Sequence, residues 1–102
     1  MKIVAITSCA TGIAHTYMAA EALERAGKAA GHEIWVETQG AGGFKPIDPT
    51  IIANADVVIF ANDVGIREAD RFSALKKVQS TPKAAIKDAK SLIEQAEKVV
   101  NE

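Results

Sequence analysis

Apolar residues follow two rhythms along this chain, one of period two and one near 3.6. Lys2 to Thr7 reads KIVAIT, a β-branched run that predicts a buried central strand. From His15 to Ala30 the spacing turns helical, with Ala19, Ala22, Leu23, Ala26 and Ala30 on one face and Gly31 as the stop. Glu33 to Thr38 alternates again. Ile34 and Val36 face one way and Glu33, Trp35 and Glu37 the other, which predicts a half-exposed edge strand. Gly40 to Gly43 predicts a loop, and Asp48-Pro49 caps a short helix over Thr50 to Asn54. Asp56 to Ala61, DVVIFA, is a second buried strand. Residues 62–74 show no pattern beyond loop with a helical turn. Leu75 to Gln79 reads as a lysine-protected edge strand. Thr81-Pro82 then starts a helix whose apolar stripe runs through Ala85, Ile86, Ala89, Leu92, Ile93, Ala96, Val99 and Val100.

Alternating strands and helices imply an α/β fold: a four-stranded, mainly parallel sheet with three main helices on its two faces, a Rossmann-like three-layer architecture. Crossovers are expected to be right-handed. If the first strand lies between the second and third, the strand order reverses beside it. Open α/β sheets bind ligands at that point, at the carboxyl ends of the strands. The residue that falls there is Cys9.

Composition narrows the functional classes. The 102 residues make one domain, 1–102, with a net charge of −1, which lacks the basic excess of a nucleic-acid binder. One cysteine excludes an internal disulfide framework and a multi-cysteine metal site, and it suits a reducing compartment. Scattered carboxylates form no ligand constellation, so neither metal nor organic cofactor is expected. No apolar run approaches the ~20 residues that span a bilayer, and the N-terminus reads as a strand rather than a signal peptide. A cytoplasmic protein is expected, reaching any membrane process through a partner.

Cys9 stands in a stretch of mostly small residues, Ser8 to Ala14, that leads into the first helix. A helix N-terminus offers N–H groups and a partial positive charge, and so binds phosphate. Gly12 and its small neighbours let the backbone curl round an anion. A thiol placed there is stabilised as thiolate and becomes nucleophilic. The candidate site is therefore Cys9 as nucleophile, with Ala10, Thr11, Gly12, Ile13, Ala14, His15 and Thr16 as its phosphoryl-binding loop. The Thr11 and Thr16 hydroxyls are candidate further donors. The plain alternative is a buried structural cysteine. Cys9, five residues, then His15-Thr16 resembles the Cys-x5-Arg-Ser/Thr loop of cysteine-dependent protein phosphatases, with histidine in the arginine position. Histidine cannot grip phosphate with a bidentate fork, which suits holding a phosphoryl group over hydrolysing it. A small phosphatase, an arsenate reductase and a non-catalytic anion-binding module stand as rivals. The missing arginine counts against the first two, and the lack of a second cysteine against the reductase.

Ser8-Cys9-Ala10-Thr11-Gly12-Ile13-Ala14-His15-Thr16 and Met18 to Leu23 resemble the fructose-class IIB component of the bacterial sugar phosphotransferase system. So do Gly31 to Ile34, Val36 to Gly40, Ala55 to Ile59 and Arg71-Phe72. The resemblance implies that a phosphohistidine on a IIA partner passes its phosphoryl group to the cysteine matched by Cys9. A membrane IIC permease then presents a fructose-like sugar to receive it, so the protein would associate with the inner membrane through IIC. Relatives commonly carry proline where this chain has Ala10, which restores a backbone N–H.

Other residues keep two readings. His15 is either a proton shuttle or phosphoryl contact, or a first-turn residue that packs or caps. Gln39, Arg67 and Arg71 are candidate partner contacts, against a mobile turn for Gln39 and solvated surface for the arginines. Trp35 covers a helix or forms an interface. Asp63, after the third strand at the same end as Cys9, either orients donors of the loop or is a turn residue; a carboxylate beside a phosphoryl group would also repel it, which favours the turn. His32 reads as exposed, and the charges of the last helix as a solvated face.

Overall fold

A computed structural model of the chain describes residues 1–10, 13–40, 43–44 and 46–101. In chain order its elements are β1 (Lys2–Ser8), α1 (Ile13–Ala29), β2 (Glu33–Gly40), β3 (Gly43–Phe44), α2 (Pro49–Asn54), β4 (Val57–Asn62), a 3-10 turn (Ala69–Phe72), β5 (Lys76–Ser80) and α3 (Pro82–Val100). The sheet order is β3-β2-β1-β4-β5. Four strands are parallel, and only the two-residue β3 runs antiparallel, against Gln39 and Gly40. The expected four-stranded parallel sheet is present, with β1 at its centre and the order reversing between β1 and β4. Ser8 lies level with Gln39 on one side and Asn62 on the other, so three strands end together.

The period-two pattern of β1 and β4 divides the core. Ile3, Ala5, Val57 and Ile59 face α1 and α3, packing with Ala19, Leu23, Ala85, Leu92 and Ile93. Val4, Ile6, Val58 and Phe60 face the other way, under Ile47, Ile52 of α2 and Phe72 of the 3-10 turn. Small residues let α1 sit close to the sheet: a Cβ on Gly27 would come within 3.0 Å of Ile34. The helix stops as its sequence predicts. Gly31 takes φ 83°, its N–H bonds the Lys28 carbonyl, and the His32 N–H bonds that of Gly27. In α3, Thr81 accepts the Ala84 N–H as N-cap. The predicted continuous helix breaks at Asp88 (φ −154°, ψ 69°), whose carboxylate accepts the Ser91 N–H and caps the second segment.

Two expectations need correction. The Trp35 face of β2 is not a polar surface. Trp35 packs against the Val4–Ile6 layer, and Glu37 on the same face is 1% exposed. Alternation marks which residues share a face, but a charge on that face goes to solvent only if nothing inside satisfies it. Here Arg71 meets Glu37 with two bonds of 2.9 Å, while the Gln39 amide (2.6 Å) and the Ile47 N–H (2.9 Å) complete the shell. In residues 62–74 the expected helical turn is the 3-10 turn, which inserts Phe72 into the core beside Phe60. His32 is not simply exposed: its Nε2 lies 2.6 Å from Glu97, bridging the end of α1 to α3.

Burial, the largest influence on Glu37, pushes its carboxyl up. The bonds from Arg71, Gln39 and Ile47 together outweigh it and hold the group below its ordinary value. Arg71 is raised, chiefly by its bond to Glu37. Removing one partner strands a buried charge, so Arg71→Ala should lose about 3 kcal/mol in urea unfolding at neutral pH. Because the folded carboxyl is depressed, the pair's contribution is whole above the ordinary value of 4.5 and is lost as pH falls through the folded value. The gap between wild type and Arg71→Ala should therefore narrow in acid. An undiminished gap at low pH would contradict a charge-based role.

Candidate active site

The level strand ends put the first residues after β1 and β4 side by side. The Asp63 N–H bonds the Ser8 carbonyl at 3.1 Å, which continues the sheet by one step. Beside it, Cys9 is half-buried with its sulfur opening outward. The Cys9 thiol donates to Asp63 Oδ2 at 3.4 Å, and the Ala10 N–H donates to Asp63 Oδ1 at 2.7 Å. His15, on the first turns of α1, brings Nδ1 to 3.8 Å from the sulfur. Buried Thr7 ties the strand to that helix by donating from Oγ1 to the Thr16 carbonyl at 3.1 Å.

A cleft of about 450 Å³ opens over the sulfur. Its floor is Cys9 and Asp63, one wall is His15 and Met18 from α1, and the other is Lys83, Ile86 and Lys87 from α3. Lys83, Ile86 and Lys87 share one side of the helix by their i, i+3, i+4 spacing. They lie ahead of the break at Asp88. The arrangement joins a nucleophile, a titratable ring and two ammonium groups, which is what a mobile anion needs in order to enter and react. Exposed Met18 and, near the cleft in sequence, Tyr17 are each 51% exposed, an apolar edge next to the charges.

The sequence-based candidates divide into groups. Cys9 and His15 meet at the cleft, with Ala10 bonded beneath it. Thr16 is buried behind them, and Ala14 is exposed. Thr11 and Gly12 lie outside the described residues, as does the side chain of Ile13. Gln39, Arg67 and Arg71 do not line the cleft. Gln39, offered as a partner contact, is 2% exposed. Its amide bonds Glu37 and the Arg67 carbonyl, and it accepts the Arg67 N–H at 2.8 Å. Arg71 is committed to Glu37, so both residues brace the domain from inside. Exposed Arg67 is held to Gln39 by its backbone.

Sequence reasoning placed Asp63 at this end and favoured a turn role for it; the structure gives it the other reading, as acceptor of the Ala10 N–H and of the Cys9 thiol. Sequence reasoning missed Met18, Lys83, Ile86 and Lys87. Their spacing was visible, but the packing of α3 beside α1 over the sheet is what turns a solvated lysine face into a cleft wall.

Residues 4–95 match a family model described as "PTS system, Lactose/Cellobiose specific IIB subunit". The chain is 44% identical over 97 residues to the "PTS system fructose-like EIIB component 2" of Escherichia coli (strain K12), covering 94% of this chain and 92% of the relative. It is 49% identical over 98 residues to part of the "PTS system fructose-specific EIIB'BC component" of Xanthomonas campestris pv. campestris, covering 93% of this chain but 16% of that longer protein. The solution structure of an Enzyme IIB subunit of the PTS from Escherichia coli K12 superposes with a TM-score of 0.89 at 37% identity, covering 98% of this chain and 94% of the other.

The lysine wall should favour anionic reagents at Cys9. Replacing Lys83 and Lys87 together by alanine should lower the ratio of iodoacetate to iodoacetamide alkylation roughly threefold at low salt. The difference should fade near ~1 M salt, where screening acts within about 3 Å. Equal ratios at low salt would remove the lysines from the site.

Proposed function

The chain belongs to the IIB family of the sugar phosphotransferase system, in its fructose-like class, and from that membership we propose that Cys9 carries the phosphoryl group. The observation that supports this reading is the Cys9 sulfur at the floor of an open cleft, at the sheet's reversal point, with His15 Nδ1 at 3.8 Å. A relay has to receive from one macromolecule and deliver to another through the same atom, and an open cleft permits both.

The donor is a phosphohistidine on a IIA protein. The sulfur attacks phosphorus in line as the phosphorus–nitrogen bond breaks. The thiol gives up its proton, and the departing imidazole ends one proton richer. In the second step a hydroxyl of a fructose-like sugar attacks the phosphocysteine. The sulfur–phosphorus bond breaks, and the hydroxyl proton returns the cysteine to its thiol. Backbone N–H groups of the loop from Ala10 to Thr16 and the start of α1 stabilise the equatorial oxygens in both steps. Lys83 and Lys87 attract the anion, and His15 is the nearest ring to take and return the thiol proton.

The acceptor is held by a membrane IIC permease. The Xanthomonas relative, as its name states, combines B and C components in one protein, which supports partners of this system. No helix among the described residues is long and apolar enough to cross a membrane, in keeping with action on the cytoplasmic side through IIC. The family description names lactose and cellobiose while the relatives' names give fructose; fructose-like sugar follows the relatives, which match nearly end to end.

Intact mass measurement after incubation with a phosphorylated fructose-class IIA protein tests the reading. Wild type should gain one phosphoryl group and lose it again to sugar with IIC membranes, and Cys9→Ser should gain none. Release of phosphate from an aryl phosphate, with no gain from any of several IIA donors, would move the assignment to a phosphatase.

A further inference from the structure

Asp63 stands where a phosphoryl group on Cys9 would have to go. It accepts the Ala10 N–H at 2.7 Å and the thiol at 3.4 Å. The first is a donor that an arriving phosphoryl oxygen would need. The second exists only while sulfur bears hydrogen. Asp63 is anchored from behind as well. Its own N–H is held by Ser8, the Asn62 amide bonds the Val64 carbonyl at 2.7 Å, and the Gln79 amide bonds Asn62 at 2.7 Å.

We propose that the Asp63 carboxylate keeps the phosphocysteine poised for onward transfer by stabilising the thiol and opposing the phosphorylated state. The proposal rests on Cys9 being the carrier. When sulfur bonds phosphorus, the thiol hydrogen bond disappears and close to two negative charges arrive beside a fixed carboxylate. A contact that favours the empty carrier thus becomes repulsion in the loaded one. Among the described residues, the other charged or titratable groups facing this point are His15 from α1 and Lys83 and Lys87 from α3, and the two lysines pull the opposite way. The balance sets how readily the carrier gives its cargo up. Stabilising phosphocysteine too well would speed loading at the expense of delivery, as with any intermediate bound more tightly than the transition state that leaves it.

Asp63→Asn removes the charge and keeps an acceptor for the Ala10 N–H. The equilibrium between phospho-IIA and phosphocysteine, read by intact mass, should move toward phosphocysteine by about tenfold, the size expected of a close charge pair at a partly solvated site. Discharge to sugar on IIC membranes should slow by a similar factor. Asp63→Ser, with a smaller acceptor, should shift the equilibrium in the same direction, and Asp63→Glu, with the charge restored, should return it toward wild type. A carboxylate that only braced the loop would do the reverse, with all three variants loading less. An unchanged or lower equilibrium in Asp63→Asn and Asp63→Ser would overturn the proposal while leaving Cys9 as carrier. Failure of wild type to load from every donor would instead remove the carrier reading, and this inference with it.

Discussion

Parallel pairing of β1 with a neighbour on each side is the constraint from which the rest of this domain follows. Parallel strands cannot be joined by tight turns, so every link between them has to cross a face of the sheet. Those crossings put α1 over one face, where α3 also packs after the last strand, and α2 with the 3-10 turn over the other. They also leave the carboxyl ends of β1 and β4 adjacent. Two residues that begin their respective loops, Cys9 and Asp63, become neighbours there without any special local sequence. The register that aligns Ser8 with Asn62 brings the sulfur within 3.4 Å of a carboxylate oxygen.

A second constraint lies at the far side of the same strand ends. β2 ends beside β1, and its last residues require cover that the two-residue β3 cannot supply alone. The buried Glu37, with Arg71, Gln39 and the Ile47 N–H around it, clamps the segment after β4 to the strand before α2. Paired buried charges are a modest source of stability, but their geometry is exacting. The return is position. Glu68, which precedes the 3-10 turn, takes a left-handed backbone (φ 53°), and its carbonyl accepts both the N–H and the Nε–H of Arg71. The clamp thus shapes the loop that begins with Asp63, at a distance from the cleft itself.

Charges are separated by role in this molecule. The Glu37 carboxylate is buried and held by part-buried Arg71, so the pair fixes structure. Asp63, His15, Lys83 and Lys87 stand around an open cleft, where each can answer to an anion that comes and goes. With Cys9 as the proposed carrier, the opposed charges round its sulfur set a balance between loading and delivery.

Sequence alone determined the order and type of the four parallel strands and the main helices, though not the short β3, because β-branched runs, a helical apolar stripe, Thr81-Pro82 and Gly31 each carry a local physical cause. It also determined Cys9 as the candidate carrier, since the Ser8-to-Thr16 block and the strand-to-helix step are local features. Tertiary structure decided what local rules do not encode. Glu37 alternates like a surface residue and is buried because Arg71, 34 positions away, reaches it. Lys83 and Lys87 look like any solvated helix face until α3 is laid beside α1. Asp63 reads as a turn until the parallel register sets it against the thiol. In each case a charged side chain's role depends on which partner folding brings within a few ångströms, and one-dimensional periodicity reports only the face a residue shares, not what stands opposite it.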